Sequence, residues 1–252
     1  LLEAINIASA DRKPQLLASL EKRGPLSTAQ LALLEVLDPA RAAKIVLARL
    51  NASKLDEKAL RSLLESAVNI PSLDAGWGLL TLAQDSATAL TLRKAALERV
   101  VANVQHRGAW EGLLADPTFS AVIGELLNDD ALRGPAITAA GRLHLTALGP
   151  SILAIALAND ATPATREQAI QVATRLKPPH IGESLGRLLD DPDPRVRKAA
   201  LRGVVDLQDL RQLREILCQN KFSDDLRRAT ADECLLGTTG WHHERLADLL
   251  LS

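Results

Sequence analysis

An arginine at the start of a helix recurs along the chain, and this period constrains the fold more than any other feature. Each of these arginines lies one residue after a turn, and small or apolar residues follow it three, four and seven positions later. That spacing is typical of one face of an α-helix. The arginines are Arg93, Arg133, Arg166, Arg197 and Arg227, separated by 40, 33, 31 and 30 residues. A period of this length predicts a solenoid of stacked helix pairs.

The residues that follow each arginine are predicted to face the core. They are Ala96, Ala136, Ala169, Ala200 and Thr230 at the third position, Leu97, Ile137, Ile170, Leu201 and Ala231 at the fourth, and Val100, Ala140, Ala173, Val204 and Cys234 at the seventh. The partner helices are expected at roughly 12–22, 40–50, 73–84, 108–127, 149–158, 180–190 and 208–219, between turns rich in Asp, Asn, Pro and Gly. In each pair, the partner is called the first helix and the arginine-led helix the second.

The composition favours an all-α protein. Hydrophobic residues make up 47% of the 252 residues, mostly Leu and Ala, whereas aromatic residues make up only 2%. The 30 basic and 31 acidic residues give a formal net charge of −1. This balance argues against a nucleic-acid or anionic-membrane partner. No apolar run approaches the ~20 residues of a membrane span.

The stretch "DDPDPRVRKAALRGV" at about 190–205 closely resembles the turn and second helix of a HEAT repeat. This resemblance to the armadillo-like HEAT-repeat family implies a right-handed α-solenoid of about six to seven HEAT-like helix pairs. We expect one repeat domain over 1–252, with degenerate repeats in 1–85 and clearer ones in 86–252. Both ends carry half a pair and the chain holds no Met, so we expect a fragment of a longer, multidomain protein.

Arg197 is predicted to be structural. At 100° per residue it lies on the same arc as Ala200 and Val204, the side that must be buried. A buried guanidinium needs acceptors, and Asp191 or Asp193 in its own turn, or an aspartate of a neighbouring turn, could supply them. The resemblance implies an Asp–Arg ladder between repeats, in which the other four arginines would take part.

Arg195, Lys198 and Arg202 form a different group, since they fall within about 60° of one another on the polar side of the same helix. One repeat earlier the equivalent residues are Ala164, Glu167 and Gln171, so the basic stripe does not continue. The trio is a candidate partner-binding surface, with an ordinary solvated helix face as the alternative. Trp241, His242 and His243 form a second candidate surface. Adjacent histidines point about 100° apart on a helix, which disfavours binding of one metal by both.

No catalytic, metal-binding or cofactor residue is predicted. HExxH, Walker and GxSxG motifs are absent. Two lone cysteines, Cys218 and Cys234, make no disulfide framework and are expected to be buried free thiols. The starts of the second helices lack the His-Glu pairs of the HEAT-like iron hydroxylases. HEAT-like DNA glycosylases capture a base with aromatic residues, and no second helix after residue 88 carries one.

The sequence therefore predicts a non-catalytic scaffold or spacer module. Its curved helical surface would contact a protein partner or a neighbouring domain of the same chain. A HEAT-like nucleic-acid-binding protein or DNA glycosylase is the alternative. We expect a soluble segment without cofactors, and its compartment stays open between the cytoplasm and, for a secreted multidomain protein, the outside of the cell.

Overall fold

The computed structural model describes residues 28–50, 57–105, 110–218 and 223–236, together with residues 15 and 108. Within these ranges every regular element is helical: 14 α-helices and a short 3₁₀ turn, Thr146–Leu148, with no strand. The chain divides into two compact units, Leu1–Leu126 and Leu127–Ser252. No helix in the described ranges is long and apolar enough to cross a membrane.

Unit 1 contains seven described helices. They are α1 (Thr28–Leu37), α2 (Pro39–Leu50), α3 (Glu57–Asn69), α4 (Leu73–Gln84), α5 (Leu90–Gln105), α6 (Glu111–Ala115) and α7 (Pro117–Leu126). First helices contact first helices, as in α2 with α4, and second helices contact second helices, as in α3 with α5. This is the packing of stacked helix pairs.

Unit 2 contains the other seven, and its stacking is the most regular. They are α8 (Arg133–Arg142), α9 (Gly149–Leu157), α10 (Pro163–Leu176), α11 (Ile181–Leu188), α12 (Pro194–Leu207), α13 (Leu210–Cys218) and α14 (Asp224–Leu236). The second helices α8, α10, α12 and α14 pack in that order, each against the next. The helices in the described ranges, stacked in this way and without a strand among them, confirm the predicted all-α solenoid.

The helical period locates the core correctly. Residues at the third position after each arginine are fully buried in all five repeats, and those at the seventh are at most 2% exposed. Small residues at the third position let neighbouring helices approach. Thr230 is the one polar member, and its hydroxyl donates to the Leu226 carbonyl at 2.7 Å, so its burial leaves no unpaired group.

The expected helix at 108–127 is wrong in one respect, because it is broken at Asp116. Pro117 opens α7, and the residue before a proline is driven out of helical geometry. Asp116 accordingly has φ −85° and ψ 119°. Its carboxylate accepts a hydrogen bond from the Thr118 backbone N–H at 2.8 Å, which caps the new helix.

Proline and a polar cap also start the helices of unit 2. Thr162 and Asp193 each accept a backbone N–H of the first turn, with a proline next in sequence, at the starts of α10 and α12. Both helices end in a left-handed residue, Lys177 at φ 51° and Gln208 at φ 54°. The turn signals of the sequence therefore act as helix stops and starts.

Gly203 marks the closest helix approach in the clearest repeat. A Cβ atom built there would lie 2.8 Å from the Thr174 hydroxyl and 3.0 Å from a Leu185 methyl carbon. The missing side chain lets α12 pack tightly on α10 and α11. By contrast, a Cβ at Gly134 would meet only the Gln168 amide oxygen, at 3.4 Å.

Candidate interaction surface

Two of the repeated arginines bind the end of the preceding first helix. Arg93 Nε donates to the Ala83 carbonyl at 2.8 Å, and Arg166 Nε to the Ala156 carbonyl at 3.0 Å. Each acceptor lies ten residues before its arginine, within the last two residues of a helix. The last carbonyls of a helix lack intrahelical donors and carry partial negative charge. These two buried arginines therefore cap the C terminus of the partner helix.

The other three bind closer in sequence. Arg133 Nε donates to the Leu127 carbonyl at 2.9 Å and pairs with Asp130 at 2.6 Å. Arg197 donates to the Asp191 and Pro192 carbonyls at 2.7 and 2.9 Å. Arg227 pairs with Asp224. For Arg197, the acceptors in its own turn are backbone carbonyls rather than carboxylates.

Asp191 and Arg166 link consecutive repeats. The guanidinium of Arg166, on α10, meets the Asp191 carboxylate in the turn before α12, with N–O distances of 3.3 and 2.5 Å. Both residues are buried, at 6% and 8% exposure. Asp191 also accepts from the Asp193 backbone N–H at 3.0 Å. This two-point ion pair, called the Arg166–Asp191 rung below, joins the second helix of one repeat to the turn before the next second helix.

Asp193 has a separate role. Its carboxylate accepts from the Arg195 backbone N–H at 2.8 Å and so caps the start of α12. Asp193 therefore binds the backbone of the helix that it begins. From the sequence alone, it was a possible partner of the Arg197 side chain.

The basic trio lies on the exposed side of α12, as the helical wheel predicts. The side chains of Arg195 and Lys198 are exposed, and neither makes a hydrogen bond or ion pair with the described part of the chain. Arg202 differs, since its Nε lies 3.2 Å from the Glu233 carboxylate on α14. Arg202 therefore ties two second helices together across a half-exposed surface.

Charges of both signs lie near Arg202, the C-terminal member of the trio. Burial and the nearby Glu233 carboxylate raise the pKa of Asp206 above its usual value, while Arg175 and Arg202 oppose that rise. These groups belong to three consecutive second helices, α10, α12 and α14. The exposed face of the second helices in unit 2 therefore alternates in sign, unlike the continuous positive track that grips a nucleic-acid backbone.

A cleft between the first helices α11 and α13 was not predicted. Gln212 enters it from α13, and its amide nitrogen donates to the Gly182 carbonyl on α11. A Cβ at Gly186 would lie 3.2 Å from that nitrogen. The absence of side chains at Gly182 and Gly186 therefore leaves room on α11 for the Gln212 side chain. The amide oxygen of Gln212 is buried, and no described residue donates to it; a buried polar group left unpaired typically costs ~1–3 kcal/mol. The only sequence signal was this glycine pair in "IGESLG".

The tryptophans in the described ranges are packing residues. Trp110 is buried, and its Nε1 donates to the Ile70 carbonyl at 3.0 Å. Trp77 meets Phe119 edge-to-face, with ring centroids 6.4 Å apart. Trp241, His242 and His243 lie outside the described residues, so the second candidate surface stays a prediction.

The two thiols differ in exposure. Cys234 is buried, and burial raises the pKa of its thiol, with Glu233 adding to the shift. Cys218, at the end of α13, is exposed, which corrects the expectation that both would be buried. Within the described ranges no cluster of His, Cys, Asp or Glu is arranged to hold a metal ion.

A family model for HEAT repeats matches residues 150–235. The matched segment spans α9 to α14 and therefore includes the Arg166–Asp191 rung, the basic trio and the cleft. No curated protein matches the chain significantly. HEAT repeats generally mediate protein interactions and are typically non-catalytic. Over residues 150–235, about a third of the chain, the sequence is therefore similar to HEAT repeats.

Proposed function

We propose that this protein is a non-catalytic docking scaffold, and that its contact surface is the exposed face of the second helices in unit 2. The partner would be a protein or a neighbouring domain of the same polypeptide. Its contact would centre on Arg195 and Lys198 of α12, with Arg202 at the edge.

One observation carries this proposal: the basic residues of α12 divide into two groups by what they bind. The guanidinium of Arg197 donates hydrogen bonds to two backbone carbonyls of its own turn. Arg195 and Lys198 are exposed, and their side chains pair with no group in the described part of the chain, so their charges can meet an outside group. Asp193 caps the start of α12, so Arg195 in its first turn and Lys198 at the beginning of its second stand on a well-anchored helix end. A rigid helix face loses little conformational freedom on binding, which favours its use as a docking surface.

The mixed charges around Arg202, at the edge of this surface, favour a protein partner over nucleic acid. Arg202, Glu233 and Asp206 place both signs within neighbouring helices. A protein surface can match such a pattern, and electrostatic complementarity of this kind gives specificity more than affinity. A polyphosphate backbone would meet repulsion at each carboxylate.

Site-specific photocrosslinking tests the proposal. A benzophenone amino acid is placed at position 198 in the protein expressed in its native host, and the adducts are identified by mass spectrometry. A matched protein carries the probe at Ser151, which is exposed on the first helix α9. We expect a discrete protein adduct, or an internal crosslink to another domain, from position 198 and none from 151. Equal yields from both positions, or adducts with nucleic acid alone, would contradict the proposal.

A further inference from the structure

The cleft between α11 and α13 has the size of one side chain. Its volume is about 240 Å³, below the ~300 to 1,000 Å³ of typical small-molecule sites. Leu189 and Ile216 line it and are themselves buried, at 3% and 1% exposure, so part of its wall is apolar. A long side chain with an apolar stem fits such a space better than a compact polar molecule.

Gln212 supplies an acceptor without a donor in this cleft. The side chain is only 8% exposed. Its side-chain amide nitrogen donates to the Gly182 carbonyl. Its backbone N–H donates to the Asp209 carboxylate at 3.1 Å. Among the described residues, no group donates a hydrogen bond to the amide oxygen. Since buried polar atoms are nearly always paired, this oxygen is a candidate acceptor for a donor that lies beyond the described residues.

The charge around the cleft specifies what kind of donor it is. Three carboxylates line it, from Glu183 and Asp190 on the α11 side and from Glu215 on α13, against one cation, Arg187. Glu183 also lies 3.8 Å from His180. The formal charges of these four lining side chains sum to −2, which favours a donor with positive charge.

We propose that this cleft binds an arginine side chain of a protein partner. The alkyl stem packs on Leu189 and Ile216, and the guanidinium donates to the Gln212 oxygen and to the carboxylates of Glu183 and Glu215. Arginine suits the site better than lysine because its planar fork presents five donors, enough to serve an amide oxygen and a carboxylate together. The cleft lies on first helices, so this inference is independent of docking on the second-helix face.

Titration of the ¹⁵N-labelled full chain with N-acetyl-arginine-N-methylamide tests the inference. We expect saturable shifts of the Gln212 side-chain amide and the Gly186 backbone amide, with a Kd in the millimolar range, as befits one side chain. The citrulline analogue, which has the same shape without charge, and the lysine analogue serve as competing probes. Both should bind more weakly than the arginine probe.

Matched charge-neutralising variants locate the binding. In E183Q/E215Q we expect the arginine probe to bind about fivefold more weakly or worse, as for two exposed ion pairs. E167Q, the same change on the second helix α10, should leave the Kd unaltered. Gln212→Met, checked for an unchanged amide spectrum elsewhere, should also weaken binding. Absence of saturable shifts, equal binding of citrulline or lysine probes, or an unaltered Kd in E183Q/E215Q would overturn the proposal.

Discussion

Asp191→Ala is expected to be the most destabilising single change in the matched segment. It removes the carboxylate that pairs with Arg166 at two points and leaves that guanidinium buried at 6% exposure. Breaking a buried ion pair from one side typically costs ~3–5 kcal/mol. The substitution also leaves the Asp193 backbone N–H without its acceptor, which adds ~1 kcal/mol. Against the ~5–15 kcal/mol of a whole domain, we expect a loss of at least ~3 kcal/mol.

Two further variants separate the ion pair from other effects. Asp190→Ala, at the exposed neighbouring position, should change the free energy of unfolding by less than ~0.5 kcal/mol. Arg166→Met combined with Asp191→Leu removes both charges, so it should be less destabilising than Asp191→Ala alone. Part of the loss will remain in this double variant, because the Ala156 carbonyl loses its donor.

Urea unfolding followed by circular dichroism gives the total change, and hydrogen exchange of peptides from α10 to α12 assigns it to unit 2. The second measurement is needed because two compact units need not unfold in one step. A loss below ~1 kcal/mol in Asp191→Ala, or faster exchange confined to unit 1, would refute the assignment of Asp191 as the link between repeats.

Three other predictions follow from the packing and charge of unit 2. Gly203→Ala should destabilise by ~1–3 kcal/mol through overpacking, whereas Gly134→Ala should be neutral or slightly stabilising, as measured by urea unfolding. Iodoacetamide at pH 8 should alkylate Cys218 quickly and Cys234 only at the rate of local opening, and similar rates in peptide mass spectrometry would contradict the burial of Cys234. The raised pKa of Asp206 means that ionisation opposes folding, so stability falls as pH rises through its titration. Asp206→Asn should therefore stabilise the protein at pH 7, by no more than ~0.5 kcal/mol at this exposed position, and should have no effect below about pH 3; a destabilised Asn variant at pH 7 would contradict this sign.

The repeat period was enough to predict the helices and the core, because it records directly which face of each second helix is buried. The fully buried third positions, Ala96 to Thr230, were all identified in this way. The prediction missed the break at Asp116, although Pro117 signals it in the sequence. At this point the proline interrupts a helix that the repeat period predicts as continuous.

The partners of the arginines could not be assigned from the sequence. Arg93 and Arg166 donate to backbone carbonyls ten residues earlier. Every residue has a backbone carbonyl, so the amino-acid sequence does not show which one accepts the bond. For the same reason the role of Asp193 as a helix cap could not be told apart from a role in the ladder. The cleft with Gln212 depends on a helix-to-helix contact over 30 residues, which no local pattern contains.

The exposed trio was placed correctly on the polar side of α12, but its members are not equivalent. Arg202 pairs with Glu233 of the next repeat, so charge reversal there would set two carboxylates side by side. A clean test of the binding surface therefore changes Arg195 and Lys198 and keeps Arg202.

The most direct test of the proposed function is the double reversal R195E/K198E, measured for both stability and binding to the partner that the 198 crosslink identifies. We predict an unfolding free energy within ~1 kcal/mol of the parent protein. The same variant should bind the partner at least about tenfold more weakly, since two favourable charge contacts become repulsive. A folded variant that binds the partner as tightly as the parent protein would contradict the proposed function, and an unfolded one would show that these side chains belong to the structure.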